Sequence, residues 1–190
     1  MKEGAVKGKR KIGRYRKITT AIWNDEKIRK LSHGAQLVFL RLLTHQSLTG
    51  LGAMRTTRVL LAIDFDFRQK EFDRYFDELL SQGLIKIDEE AKLLVLPNFI
   101  KHNSPESPNV IKSWPKGRDE LPECSLLREV LWRACEEATA KGEGFKKAFQ
   151  ESFPELFEKT LSNQEQKQAI NQEQTQEFIK HEYKREFWNF

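Results

Sequence analysis

Between Asp66 and Leu96 the chain combines three signals that leave few folds open. Phe72, Phe76, Leu79 and Leu80 stand at i, i+4, i+7 and i+8, so a helix here carries one apolar stripe that must find a surface to pack on. Gly83 is placed to stop that helix, because glycine takes the left-handed conformation that closes a C-terminus. Two β-prone runs follow, 84–88 and 93–96, separated by the polar Glu89-Glu90-Ala91-Lys92, which is the pattern of a hairpin. Asp66, three residues before Gln69, resembles a capping box and sets the expected start of the helix.

Upstream, Ser32 is a candidate N-cap for a helix over about 33–45 carrying Leu37, Leu40, Leu42 and Leu43. Gly50 and Gly52 bracket a break, and 52–55 suits a very short strand. Thr56 or Thr57 caps a second short helix with Val59, Leu60, Leu61 and Ile63. The order is helix, short strand, helix, helix, hairpin. The expected fold is mainly α with a small antiparallel β-hairpin, a winged helix-turn-helix domain over 18–103; any small α+β domain that ends in a hairpin has the same order. Trp23, Phe39, Phe65, Phe72, Phe76 and Phe99 are read as its core.

Beyond Pro97 the prolines 105 and 108 interrupt regular structure. A helical extension is expected over 104–161. It comprises a short helix within 109–118 holding Val110, Ile111 and Trp114, a longer one over 125–139, and the aromatic row Phe145, Phe149, Phe153, Leu156 and Phe157, broken by Pro154. Residues 162–176 hold six Gln and two Asn and read as a polar linker. In 177–190 the side chains of Ile179, Tyr183, Phe187 and Phe190 share one helical face, which suits docking on a helicase, a polymerase subunit, a second copy or the chain's own domain.

Charge is unevenly spread. Residues 1–30 hold 11 Lys/Arg against 3 Asp/Glu, residues 31–120 hold 12 of each, and residues 121–190 hold 10 against 13. A basic arm over 1–17, expected to be flexible, therefore supplies the positive excess, and it points to a polyanion partner. Its Lys9, Arg10, Lys11, Arg14, Arg16 and Lys17 are candidate DNA ligands, with Arg14 and Arg16 suited to a narrow minor groove. A solvated, solubilising tail is the plain alternative. In the helix after Asp66, Arg68, Gln69, Lys70 and Arg74 are the candidates for reading DNA, but Glu71, Asp73, Asp77 and Glu78 share that helix and oppose phosphate. Asp88, Glu89 and Glu90 likewise outnumber Lys92 at the hairpin tip. Arg55 and Arg58 flank the second helix start and suit phosphate contact. Tyr15 and Trp114 lie beside basic residues, where stacking on single-stranded DNA competes with packing as their role.

The stretch from Tyr15 to Asn103 resembles the N-terminal domain of phage and prophage replication initiation proteins of the replisome-organiser type. The residues that carry the likeness are Arg14-Tyr15-Arg16-Lys17-Ile18, Ile22-Trp23-Asn24-Asp25, Leu37 through His45, Leu51-Gly52-Ala53-Met54, Pro97-Asn98-Phe99 and Lys101-His102-Asn103. The resemblance implies a winged helix that binds duplex origin DNA or single strands, or self-associates there. It also implies a C-terminal part that recruits a replicative helicase or its loader. Only 14 residues follow the Gln/Glu-rich segment, so that part is expected to be a peptide, or the chain a shortened relative.

No GxxxxGK[ST], HExxH or GxSxG pattern is present, which argues against an ATPase, a zinc hydrolase and a serine hydrolase. Cys124 and Cys135 form no CxxC and fit a reducing cytoplasm, and no 18-residue apolar run is present to cross a membrane. A non-enzymatic cytoplasmic DNA-binding protein without a cofactor or metal is the expectation. A transcriptional regulator on the same fold and an adaptor that does not bind DNA are the alternatives.

Overall fold

A computed structural model describes residues 15–156. The elements are a 3-10 turn Thr20–Asn24, α1 Glu26–Arg29, α2 His33–Leu43, β1 Ala53–Arg55, α3 Arg58–Asp64, α4 Gln69–Ser81, β2 Lys86–Asp88, β3 Leu93–Val95, α5 Phe99–His102, α6 Pro108–Lys112, α7 Trp114–Arg118, α8 Ser125–Ala140 and α9 Glu143–Ser152. The described residues are thus mainly helical with one small antiparallel sheet. The basic residues up to Arg14, the polar linker and the terminal amphipathic peptide lie outside the described residues.

Local rules account for most element ends. The Ser32 hydroxyl accepts from the Ala35 amide at 3.3 Å and opens α2, and the Thr57 hydroxyl accepts from the Leu60 amide at 3.3 Å and opens α3. Helix α4 closes on Gly83 at φ 64°, with Gly83 N–H donating to Leu80 O and Leu84 N–H to Leu79 O, the paired bonds of a Schellman stop. The start of α4 differs from expectation. Asp66 is not its cap; it sits at φ 55° inside the turn, and Arg68 takes the N-cap position without a side-chain hydrogen bond. Tight reversal of the chain after α3 sets this geometry, since Phe67 N–H returns to Ala62 O.

The sheet has three strands in the order β1-β3-β2, so the early strand joins the hairpin on its far side. Met54, Leu94 and Ile87 stand in register across it. Every residue of β3 is buried. Inside the hairpin turn the Asp88 carboxylate accepts from Ala91 N–H at 2.8 Å.

One apolar core runs from Ile28 to Phe153 and includes Phe72, Phe76 and Leu79 of α4, the central strand, Trp114, and Phe149 of α9. The helical extension, as far as Leu156, belongs to that core. Helix α8 packs on β3 and α5, while α9 packs on α6 and α8. At the edge of this seam Glu129 receives Lys86 Nζ from β2 at 2.7 Å and Arg133 Nη2 at 2.7 Å, and Arg133 Nη1 reaches Pro97 O at 3.0 Å. The hydrogen bond from Lys86 is the main reason the Glu129 carboxyl titrates below the usual range, against an opposing cost of burial.

Two aromatic expectations separate here. Trp114 is packed inside, edge-on to Phe149 at 6.3 Å between ring centroids. Trp23, expected in the core, is 51% exposed, because the 3-10 turn that carries it buries no residue.

Gly52 fixes the passage from the loop into β1. It lies at φ 73°, and a Cβ added there would stand 2.4 Å from the Phe99 Cβ. The left-handed conformation costs an L-residue roughly 1–2 kcal/mol and overpacking a further 1–3 kcal/mol. Gly52→Ala is therefore expected to lower stability by about 2–5 kcal/mol, read as a fall in the urea midpoint with unchanged m-value.

Candidate nucleic-acid interface

Helix α4 presents its buried side through Phe72, Tyr75, Phe76 and Leu79. At 3.6 residues per turn this turns Lys70, Arg74, Asp77 and Ser81 outward. Both Lys70 and Arg74 are exposed, as are Arg68 and Gln69 at the N-terminal end. Among the described residues no ion pair engages Arg68, Lys70 or Arg74; the Arg74 guanidinium lies over the Tyr75 ring, 4.9 Å from its centroid.

The four carboxylates of α4 are each directed to a partner. Arg58 Nη1 donates to Asp77 Oδ1 at 2.7 Å and lies 4.0 Å from Asp73 Oδ1. Gln69 Nε2 donates to Asp73 at 2.8 Å. Glu78 accepts from the Ser32 amide at 2.8 Å and the Ser32 hydroxyl at 2.9 Å, so its charge sits at the positive N-terminal end of α2. Glu71 accepts from the Tyr75 hydroxyl at 2.9 Å.

Arg58 joins three elements at once. It starts α3, binds the middle of α4 through Asp77, and donates through Nε to Glu89 of the hairpin turn at 3.1 Å. Its guanidinium also lies 4.7 Å from the Phe76 ring centroid, a cation–π contact worth about 0.5–1 kcal/mol at a partly exposed site. Burial alone would lower the Arg58 pKa, but the hydrogen bonds to Asp77 and Glu89 outweigh it and raise the value. Arg58, expected to meet phosphate, is instead bound to carboxylates. Arg55 is exposed at the end of β1, next to Thr56, whose N–H donates to Lys92 O at 2.8 Å. Arg55 and Lys92 thus flank the hairpin tip, where Asp88 and Glu89 are both engaged by the protein.

The end of the basic arm is also committed. Arg16 Nη2 donates to Leu48 O at 2.6 Å, with its guanidinium 5.2 Å from the Phe99 ring centroid. Lys17 pairs with Glu106, and its backbone N–H donates to Asn103 Oδ1 at 3.2 Å. The Lys17–Glu106 hydrogen bond raises the lysine pKa and lowers that of the glutamate. Lys9, Arg10, Lys11 and Arg14 lie outside the described residues, as do Ile179, Tyr183, Phe187 and Phe190. Of the candidates, the structure therefore gathers Arg68, Lys70 and Arg74 on α4, adds Arg55 at the sheet edge, and turns Arg16, Lys17, Arg58 and Gln69 to internal bonds.

One feature escaped sequence reasoning. Helix α3 buries Leu61 and Ala62 but leaves Val59, Leu60 and Ile63 outside, the last 68% exposed. The run of five apolar residues concealed which of them face water, because a helix this short buries only one side. Asp64 Oδ2 stands 3.6 Å from His45 Nε2. Among the described residues no group of three or more His, Cys, Asp or Glu side chains is placed to hold a metal ion, and no helix is long and apolar enough to cross a membrane. Both cysteines are free, and burial pushes the Cys135 thiol pKa up.

No protein-family model, no curated protein and no solved structure matches the chain.

Removing the Arg58 cation releases Asp73, Asp77 and Glu89 together. Arg58→Ala is expected to cost about 1–3 kcal/mol in chemical denaturation, since it deletes a network, not one exposed pair. Arg58→Lys keeps the charge but loses the planar fork and recovers only part of that stability.

Proposed function

We propose that the chain is a non-enzymatic DNA-binding protein of winged helix-turn-helix type that acts in replication initiation of the kind residues 15–103 resemble. The supporting architecture is the order α2, β1, α3, α4, β2, β3 with β1 paired to the hairpin's second strand. Between α3 and α4 lie only residues 65–68, the length of a helix-turn-helix turn. The observation that carries the reading is the sorting of charge on α4. Its carboxylates are each bonded to Arg58, Gln69, Ser32 or Tyr75; Lys70 and Arg74 stand on the outer row beside the Arg58-paired Asp77, with Arg68 at the N-terminal end. An outward helix with cations at its first turns is what enters a major groove and meets its phosphates.

Sorting is not excess. The five cations Arg55, Arg58, Arg68, Lys70 and Arg74 face the five carboxylates Glu71, Asp73, Asp77, Glu78 and Glu89, so the domain face is close to neutral. The arm is then the main electrostatic element, with α4 setting the docking geometry. Origin DNA, as duplex or single strand, is the proposed ligand, a replicative helicase or its loader the proposed protein partner, and the cytoplasm of a bacterial host the proposed site of action.

The exposed Val59, Leu60 and Ile63 on α3 favour a second reading, an adaptor that meets a protein through its small domain.

Fluorescence anisotropy across a salt series tests the first reading. Each lost phosphate contact is expected to flatten the plot of log K against log salt by about one unit. Replacing Lys7, Lys9, Arg10, Lys11 and Arg14 with glutamine should flatten it by up to roughly 4–5 units, and Lys70→Ala with Arg74→Ala by about 2. Absence of binding by the unaltered chain at low salt supports the adaptor.

A further inference from the structure

A groove of about 470 Å³ runs between the segment before α1 and the body of the domain. Ile18, Ile22, Phe39, Leu43, Leu96 and Phe99 line it, with Lys27 and His102 among its polar residues. Its volume falls within the roughly 300–1,000 Å³ of sites that bury a substantial ligand. Internal bonds hold its outer wall at both ends. Arg16 and Lys17 tie one end to Leu48 O and Asn103, and at the other Gln36 Nε2 donates to Ile28 O at 3.0 Å and Leu31 O at 3.3 Å. Ile18 is 41% exposed, and Ile22, Phe39 and Leu43 are half-buried. A built apolar groove with exposed walls calls for a partner surface.

We propose that residues 177–190 of the same chain dock in this groove as an amphipathic helix, seating Ile179, Tyr183 and Phe187 against its apolar lining. The choice of occupant follows from the residues outside the described part. The basic arm up to Arg14 offers only Met1, Ala5, Val6 and Ile12 as apolar side chains, the stretch 157–161 only Phe157 and Leu161, and the 162–176 segment only Ala169 and Ile170. Residues 177–190 offer an i, i+4, i+8 row of one branched aliphatic and two aromatic side chains, the spacing of helix-in-groove anchors. Glu182 and Glu186 flank that row on one side. Lys27 and Asp25 both line the groove; Asp25 is engaged as the cap of α1, accepting from the Lys27 and Ile28 amides, while Lys27 Nζ makes no ion pair among the described residues and complements those glutamates.

Reach is sufficient. The 20 residues 157–176 extend to about 70 Å at most, against roughly 40 Å for the width of a domain this size. Tethering supplies an effective concentration in the millimolar range, so a contact with a Kd near ~1 mM is already substantially occupied. The docked row is then unavailable to a protein partner until it leaves the groove. This inference does not depend on DNA binding: Lys70 and Arg74 are not among the groove residues, and Lys17, which is, pairs with Glu106.

Hydrogen exchange read by mass spectrometry on the full chain tests it. In Ile22→Glu, the amides of 177–190 should exchange roughly tenfold faster than in the unaltered chain, at low and high protein concentration alike. The reciprocal variant Tyr183→Ala with Phe187→Ala should speed exchange across 18–28 while α4 and α8 stay unchanged; it leaves the body intact and decides the matter if Ile22→Glu unfolds. Exchange in each segment that ignores changes in the other overturns the proposal. So does protection of 177–190 that appears only at high concentration, which assigns the groove to a second copy.

Discussion

Arg58 is the point on which the candidate interface depends. It is the first residue of α3, yet its partners belong to α4 and to the hairpin turn. A single planar cation with several fixed donors can serve carboxylates from two elements while its face rests on Phe76. Without it, Asp73 and Asp77 would stand beside Lys70 and Arg74 with nothing to draw them aside, and the helix would present mixed charge to any polyanion. Stability and surface chemistry thus share one interaction. The same residue cannot also be a phosphate ligand without giving up these bonds.

The sheet carries the second constraint. Because β3 is central and wholly buried, it must be covered, and α8 packs against it. The helical extension is therefore part of the domain's core and not an appendage to it. Glu129, with Lys86 and Arg133, fixes the edge of this seam by directed hydrogen bonds; the apolar contact beneath supplies most of the burial. The N-terminal segment reaches the body through the Arg16 and Lys17 bonds, and that is how a groove comes to lie behind it.

Local signals were legible from the residues alone. Ser32, Thr57 and Gly83 act within four residues of themselves, so their roles as caps and stop follow from short-range chemistry. The stripe Phe72, Phe76 and Leu79 is buried as its spacing requires. What was illegible depends on partners distant in the chain. Nothing near Arg16 indicates that Leu48 O, 32 positions away, will hold it. Gly34 gives no sign that the Tyr75 ring lies where its Cβ would be, 2.1 Å from Cζ. Trp23 belongs to a hydrophobic type that usually buries, and it stays outside because its turn has no second layer above it. The Arg58 network left a fainter trace. Two aspartates at i and i+4, facing a lone arginine at a helix start, are a pattern that sequence reading can learn to ask about.

The central claim is that α4 meets DNA with its outer row, its carboxylates engaged by internal bonds. Amide chemical-shift mapping of the full chain against a short duplex at low salt addresses it directly. The account predicts the largest shifts at Arg68, Lys70 and Arg74, with Arg55 following and the α3 face around Ile63 unmoved. Shifts that centre on Val59, Leu60 and Ile63, or that leave α4 untouched while DNA binds, would contradict it.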